Sequence, residues 1–216
     1  MRENVIQSVL DNKIIAIVRG VYAEDCLHLA QALCKGGIRL LEVTFDQAKP
    51  EDWEKTAGTI RLLVENLKDQ MIFGAGTVTS PVLVELAKSA GAQFVVSPNV
   101  NEAVIRATVD GGLVSMPGAL TPTEVLTAHA YGADFVKLFP VGNMGASYMK
   151  AVHAPINHVR LLAVGGVNES NVRSFLDAGA VGAGVGGNLV NKQWIAKGEF
   201  EKITALAEEF VRACGN

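Results

Sequence analysis

Short apolar blocks recur along the chain, and each has the length and near-continuous hydrophobicity of a buried β-strand. Between them lie stretches with apolar residues at three- and four-residue spacing, which is typical of amphipathic helices. The eight blocks begin at Ile14, Leu40, Met71, Phe94, Leu113, Asp134, Val159 and Val181. The predicted helices cover 24–35, 53–68, 81–90, 102–110, 122–131, 169–178 and 199–213. The chain therefore alternates strand and helix along nearly its whole length.

Strict alternation of strands and helices predicts a parallel sheet that is covered on both faces. Eight such units in 216 residues favour an α/β fold, a (β/α)8 TIM barrel, with residues 1–216 as a single domain. An open, doubly wound sheet is the alternative. Apolar residues at helical spacing within the first ten residues predict an extra N-terminal helix that closes the lower end of the barrel.

The composition argues against two classes of partner, membranes and nucleic acids. No apolar run reaches the roughly 18 residues that span a bilayer, so a membrane is not expected as a partner. The net charge of -3 and the lack of a run rich in lysine and arginine argue against nucleic acid. An odd number of cysteines in helix-like segments, with no signal-peptide pattern at the start, favours a reduced, cytoplasmic protein.

One lysine falls inside a predicted strand. The period-two alternation of that block puts Phe135, Lys137 and Phe139 on one face, and the valine and leucine between them on the face that meets helices. Lys137 then points into the barrel between two aromatic rings, where the loss of hydration favours the neutral, nucleophilic amine. Such an amine can form an imine with a ketone. The alternative is a structural ion-pair partner, as for most lysines.

A carboxylate lies in the second apolar block. The same alternation points Glu42 and Thr44 into the barrel, so that a glutamate in another strand comes within reach of Lys137. Lysine and glutamate are almost never buried unpaired. Their joint presence in a barrel core therefore indicates an active site rather than a purely structural pair.

Glycine-rich turns follow the seventh and eighth apolar blocks. The first contains Gly165 and Gly166, and the second contains Gly186, Gly187 and Asn188. In TIM barrels the loops at these two places commonly bind phosphate through backbone N–H groups and a helix N-terminus. Ordinary strand-to-helix turns are the alternative. Because two such turns lie in adjacent loops, the sequence favours a phosphate site.

With these features in order, the chain resembles the class I 2-keto-3-deoxy-6-phosphogluconate (KDPG) and 4-hydroxy-2-oxoglutarate (KHG) aldolases. The similarity runs through essentially the whole chain, and its order and spacing make it specific. The segments that carry it are 16–20 (AIVRG), 41–44 (LEVT), 74–78 (GAGTV), 96–99 (VSPN), 135–140 (FVKLFP), 163–167 (AVGGV) and Gly186-Gly187. The resemblance implies a lyase of carbohydrate metabolism that needs no cofactor and releases pyruvate with glyceraldehyde 3-phosphate or glyoxylate.

The resemblance also implies a role for individual residues. Lys137 would be the Schiff-base lysine, and Glu42 the acid/base that passes protons through a water. Thr77 would contact the pyruvyl part of the substrate, and the two glycine turns would hold its phosphate. Pro98 of the matching segment and Phe139 are expected in the substrate pocket, with a core-filling role as the alternative for Phe139. The resemblance further implies a homotrimer that acts on a small 2-keto acid.

One position departs from the gluconate-type pattern. Members of that type carry an arginine after Glu-Val-Thr-x to hold the pyruvate carboxylate, and here Asp46 stands in its place. Either Arg19, at the end of the first strand, or backbone donors near Thr77 take over this task, and Asp46 is a candidate for reading substrate hydroxyls. The galactonate-type members look closer, because they also lack this arginine and have valine, here Val164, before the Gly-Gly pair. A 2-keto-3-deoxy-6-phosphogalactonate aldolase is therefore the alternative.

Two other classes of protein share parts of this pattern. A phosphosugar epimerase or synthase, or a non-catalytic phosphate-binding barrel, would keep the glycine turns. Neither needs a lysine in one strand facing a glutamate in another. The four histidines show no pair at metal-ligand spacing on one strand, so no metal site is expected.

Overall fold

The computed structural model describes residues 2–215; the predicted domain of residues 1–216 also includes Met1 and Asn216, which lie outside the described residues. The strands are β1 Ile14–Val18, β2 Leu40–Thr44, β3 Ile72–Gly76, β4 Phe94–Val96, β5 Val114–Met116, β6 Gly118–Ala119, β7 Val136–Leu138, β8 Leu161–Val164 and β9 Ala180–Val185. The helices are α1 Arg2–Asn12, α2 Ala23–Lys35, α3 Trp53–Leu67, α4 Pro81–Ser89, α5 Glu102–Asp110, α6 Pro122–Ala130, α7 Gly145–His153, α8 Val172–Asp177, α9 Lys192–Ala196 and α10 Phe200–Ala213, with a short 3-10 helix at Pro50–Asp52.

The strands of residues 2–215 form one parallel sheet in the order β5-β4-β3-β2-β1-β9-β8-β7-β6. Its two ends are continuous in sequence, because only Pro117 separates β5 from β6. The fifth apolar block, 113–116, supplies β5, and β6 follows it directly after Pro117: β5 pairs with β4, and β6 pairs with β7. Pro117 has no N–H to donate, but its carbonyl accepts the N–H of Lys137 at 2.9 Å. The sheet thus closes, which confirms the predicted (β/α)8 barrel and excludes the open sheet.

Helix α1 closes the lower end of the barrel, as predicted. Its buried side chains, Val5, Ile6 and Val9, join the cluster formed by the inward-facing strand residues. An ion pair fixes the helix to the wall, since Arg2 Nη2 lies 2.8 Å from a carboxylate oxygen of Asp134, just before β7. The barrel interior is therefore filled from below, and only its upper end is open for a ligand.

A second apolar cluster lies between the strands and the outer helices. Val136 and Leu138 of β7 belong to this outer cluster, whereas Phe135 belongs to the inner one. The alternation predicted for the strand that carries Lys137 is therefore confirmed. No helix within residues 2–215 is both long and apolar enough to cross a membrane.

The helix after β8 differs from its prediction. It begins at Val172 rather than at 169, because the side chain of Asn168 accepts the N–H groups of Ser170 and Asn171 and holds the preceding residues in a turn. Helices α7 and α9 were not predicted from the sequence. Helix α9 has only five residues and begins at Lys192, four residues after Asn188 of the second glycine turn.

Candidate active site

A cavity of about 460 Å³ opens at the carboxyl ends of the strands, where the active sites of TIM barrels lie. Every predicted site residue except Asp46 lines it. Four residues that were not predicted as site residues complete its wall: Ile17, Val164, Val167 and Gly184. Their side chains carry no reactive group, so nothing in the sequence singled them out. The lining residues are Ile17, Arg19, Glu42, Thr77, Pro98, Lys137, Phe139, Val164, Gly165, Gly166, Val167, Gly184, Gly186, Gly187 and Asn188.

Lys137 projects from β7 into this cavity and is only 8% exposed. Burial lowers the pKa of its amine; the nearby carboxylate of Glu42 acts in the opposite direction, and Arg19 adds to the lowering. The Nζ atom lies 4.6 Å from the centroid of the Phe139 ring. The surroundings of Lys137 therefore increase the fraction of neutral amine, the form that can attack a carbonyl carbon.

Glu42 projects from β2 into the same cavity and is 3% exposed. Burial raises the pKa of its carboxyl to about 7, against the opposing effects of Lys137 and Arg19. A carboxyl with a pKa near neutrality both accepts and donates protons at physiological pH. It is therefore suited to general acid/base catalysis.

Lys137 and Glu42 lie on opposite walls of the barrel. In the strand order, β2 is four steps from β7 through β1, β9 and β8. The ion pairs found at 4.0 Å or less among residues 2–215 do not include one between these two side chains. The space between the amine and the carboxylate is part of the cavity, so a small reactant can contact both.

Two glycines of β3 leave room for the side chains of the site. A Cβ atom at Gly76 would overlap Oε1 of Glu42, and it would lie 2.9 Å from Cγ2 of Thr44. A Cβ atom at Gly74 would overlap the ring of Phe94 in the inner cluster. The carboxylate of Glu42 therefore occupies the space that any other residue at position 76 would fill.

Thr77 follows β3 and has a left-handed backbone, with φ at 56°. This conformation is a genuine outlier for a β-branched residue, and such strain clusters at functional sites. Its carbonyl accepts the side-chain amide of Gln47 at 2.8 Å, and the Gln47 oxygen accepts the hydroxyl of Thr79 at 2.8 Å. Arg19 contacts the Thr77 hydroxyl at 3.4 Å. Gln47 was not predicted as a site residue, because no local pattern links it to Thr77.

The two glycine turns lie side by side at one end of the cavity. Gly165 and Gly166 both have positive φ, at 88° and 80°, so these two positions favour glycine. The amide of Asn188 donates to the Val167 carbonyl at 2.8 Å, and the amide of Asn171 donates to the Gly166 carbonyl at 3.0 Å. The Asn188 amide thus joins the two loops and the Asn171 amide stabilises the first turn, and both bonds use backbone carbonyls rather than the backbone N–H groups of the glycines.

Asp46 lies outside the cavity lining. Its carboxylate accepts the N–H of Ala48 at 3.0 Å, and its carbonyl accepts the indole N–H of Trp53 at 2.9 Å. Both contacts shape the loop after β2. Within residues 2–215 no group of three or more His, Cys, Asp or Glu side chains could hold a metal ion.

Comparison with known proteins places this geometry in a family. Residues 5–206 match the family model described as KDPG and KHG aldolase. The chain is 34% identical over 201 residues to the 2-dehydro-3-deoxy-6-phosphogalactonate aldolase of Escherichia coli K12, covering 93% of each protein. It is 33% identical to the 2-dehydro-3-deoxy-phosphogluconate aldolase of Dickeya dadantii, covering 87% of this chain and 85% of that protein. A crystal structure of the KDPG aldolase from Legionella pneumophila, with pyruvate captured as a covalent carbinolamine, superposes with a TM-score of 0.84 at 26% identity and covers 94% and 96% of the two chains.

Proposed function

Since the chain belongs to the KDPG and KHG aldolase family, and is therefore a lyase, we propose that it cleaves a small 2-keto acid through an imine on Lys137. The observation that carries this proposal is a buried amine facing a buried carboxylate across an open cavity. The capture of pyruvate as a carbinolamine in the Legionella relative supports the same chemistry. The proposed substrate is 2-keto-3-deoxy-6-phosphogluconate, 4-hydroxy-2-oxoglutarate, or both.

The reaction begins with the neutral amine of Lys137, which attacks the C2 carbonyl and gives a carbinolamine. Loss of water gives an iminium, whose positive charge draws electrons from the neighbouring C3–C4 bond. Removal of the proton from the C4 hydroxyl breaks that bond and releases the aldehyde, either glyceraldehyde 3-phosphate or glyoxylate. The remaining enamine takes a proton at C3, and water then releases pyruvate and restores the amine.

Glu42 donates and accepts the protons of these steps. Its carboxyl supplies the proton that leaves with water during dehydration, and its carboxylate, directly or through one water, accepts the proton of the C4 hydroxyl. Because the pKa of Glu42 is raised to about 7, the same group can both donate and accept a proton near neutral pH. No cofactor takes part in this route.

The remaining lining residues bind different parts of the substrate. Arg19 and the backbone around Thr77 bind the carboxylate of the pyruvyl part, next to Lys137. Phe139 and Pro98 form the wall beside the amine. The glycine turns, including Gly187, where an added Cβ atom would meet nothing within 4 Å, bind the phosphate through their N–H groups.

A galactonate-type substrate is the second candidate. Arg19 lies in the cavity wall while Asp46 does not, which fits a carboxylate site built from the end of β1 rather than from the loop after β2. The Escherichia coli phosphogalactonate aldolase is among the similar proteins. We therefore propose the C4 epimer, 2-keto-3-deoxy-6-phosphogalactonate, as an alternative substrate.

We also propose that the chain works as a single-domain, cytoplasmic homotrimer. The support for the cytoplasm is chemical, since Cys26, Cys34 and Cys214 are free thiols in the structure, as in reduced compartments. Support for the trimer comes from the family resemblance alone.

Replacement of Lys137 by methionine tests the nucleophile. Lys137→Met keeps the volume of the side chain and removes the amine, so cleavage of every 2-keto acid substrate should fall to the uncatalysed background. The thermal unfolding midpoint should stay at or above that of the wild type, because burial no longer opposes a charged group. Steady-state pyruvate release and thermal unfolding measure the two quantities. Turnover close to the wild-type rate by folded Lys137→Met would contradict the imine route.

Replacement of Glu42 by glutamine tests the proton transfer. Glu42→Gln should lower kcat by roughly 10²–10⁴-fold, the usual scale for loss of a general acid/base. In the wild type, kcat/KM should rise with pH through a midpoint near the Glu42 pKa of about 7, because the Lys137–Glu42 pair must lose one of its two protons to leave a neutral amine and one proton for the dehydration. A rising limb with this midpoint should be missing in Glu42→Gln. A limb of unchanged midpoint in the variant would assign the proton transfer to another group.

The carboxylate site is tested by a matched pair of charge deletions. Arg19→Ala should raise KM about 10- to 100-fold for all three substrates, since a hydrogen bond to a charged group is lost. Asp46→Ala should change kcat/KM by less than about threefold, and equally for the gluconate epimer, the galactonate epimer and hydroxyoxoglutarate, because Asp46 lies outside the cavity. An unchanged KM in Arg19→Ala would leave the carboxylate to backbone donors. A larger loss with the phosphorylated substrates in Asp46→Ala would show that Asp46 reads a hydroxyl.

A further inference from the structure

One hydroxyl in the barrel is buried without a partner. Thr44 at the end of β2 is only 2% exposed, and its Oγ1 is the buried side-chain polar atom of the described residues that makes no hydrogen bond. A buried hydroxyl without a partner costs free energy, and native structures rarely contain one. Valine has the same shape and a better fit to a strand, so stability alone gives no reason for threonine here.

The position of Thr44 links it to Glu42. The two residues are separated by one position in β2 and therefore point to the same face of the strand. The Glu42 carboxylate extends upward to Gly76, the residue that pairs with Thr44 in the sheet. The methyl group of Thr44 lies at the same glycine. The Glu42 carboxylate and the Thr44 side chain are thus neighbours, because both lie against Gly76.

The side chain of Thr44 can reach this carboxylate with its hydroxyl. The methyl group now occupies the side near Gly76, and rotation about the Cα–Cβ bond to another staggered position brings the hydroxyl to this place and moves the methyl group to the place of the Cβ hydrogen. A hydroxyl can donate one hydrogen bond and accept others. It therefore suits a neighbour that alternates between a carboxylate and a neutral carboxyl.

Few other groups compete for Glu42. Arg19 faces it from the end of β1 and Lys137 from β7, while the inner face of β3 presents Ile72, Gly74 and Gly76, whose side chains cannot donate a hydrogen bond. The titratable side chains that line the cavity are Arg19, Glu42 and Lys137. The hydrogen bonds identified among residues 2–215 give the Glu42 carboxylate no donor, although an ionised carboxylate in such a site needs one.

We propose that Thr44 is a positioning residue for Glu42, whose hydroxyl donates to the ionised carboxylate and accepts from the neutral carboxyl during proton transfer. Thr44 does not touch the substrate and acts only through Glu42. The inference rests on the proposed function, in which Glu42 is the general acid/base. It explains why a threonine rather than a valine stands at this buried position.

The test compares two replacements of one side chain by the pH dependence of kcat/KM. Thr44→Val removes the hydroxyl and keeps the shape, so the ionised carboxylate loses a donor and its pKa rises. The rising limb of the profile should then move upward by about one pH unit, which gives roughly tenfold lower kcat/KM on the acid side and little change well above the limb. Thr44→Ser, which keeps the hydroxyl, should restore the wild-type midpoint. KM should change little, because the substrate does not contact Thr44.

Two further variants distinguish the positioning of Glu42 by Thr44 from a general effect on packing. In the Glu42→Gln background, Thr44→Val should alter kcat/KM by no more than about twofold, because the two changes remove the same interaction. Thr108→Val is the matched control, since the Thr108 hydroxyl is buried in α5 and donates to the Val104 carbonyl at 2.7 Å; it should leave the pH profile unchanged. If Thr44→Val fails to fold, Thr44→Ala against Thr44→Ser gives the same comparison.

An unmoved limb in folded Thr44→Val, or an equal loss of activity in the Glu42→Gln background, would overturn the role of Thr44 and leave the proposed function standing. A wild-type protein without any cleavage activity would instead remove the proposed function, and this inference with it.

Discussion

An amine and a carboxylate held out of water on opposite walls of one barrel are the constraint on which the rest of this structure depends. Lys137 and Glu42 are each nearly inaccessible to solvent, and burial moves their pKa values toward one another. A direct ion pair would satisfy both charges and leave no room for a reactant. β2 and β7 lie four steps apart in the sheet order, and the ion pairs at 4.0 Å or less among residues 2–215 do not include one between Lys137 and Glu42. Reactivity is thus a property of the barrel rather than of either residue.

The elements around the pair keep it in this state. Helix α1 fills the lower end of the barrel with apolar side chains and is fixed to the wall through Asp134. Gly76 of β3 makes space for the Glu42 carboxylate above. The strained backbone of Thr77 is held by Gln47 at the rim. Stability of the scaffold and reactivity of the site therefore concern different parts of the same strands: the outer faces pack against helices, and the inner faces hold the chemistry.

The sequence predicted the barrel because its signals are periodic and repeat many times. Alternation within a block places Lys137 and Glu42 inside, and the order of blocks places the glycine turns beside each other. The break of the fifth strand at Pro117 was missed, because an apolar block does not reveal where its hydrogen bonds change partner. Asp46 was predicted as a site residue because it follows β2, yet its carboxylate accepts the N–H of Ala48 and lies outside the cavity. The direction of a side chain in a loop has no periodic pattern in the sequence, so it could not be predicted. The contacts of Gln47 and Thr44 depend on rotamers and long-range packing, which patterns of residue type do not encode.

The account is tested most directly by reductive trapping of the folded protein with pyruvate and borohydride, followed by peptide mass analysis. An imine on Lys137 predicts one reduced pyruvyl group per chain, located on Lys137 and absent from Lys137→Met treated in the same way. Lys137 lines the cavity and is 8% exposed, whereas Lys192 lies outside the cavity lining and should stay unmodified. An unmodified wild-type protein, or an adduct on any other lysine, would contradict the central claim.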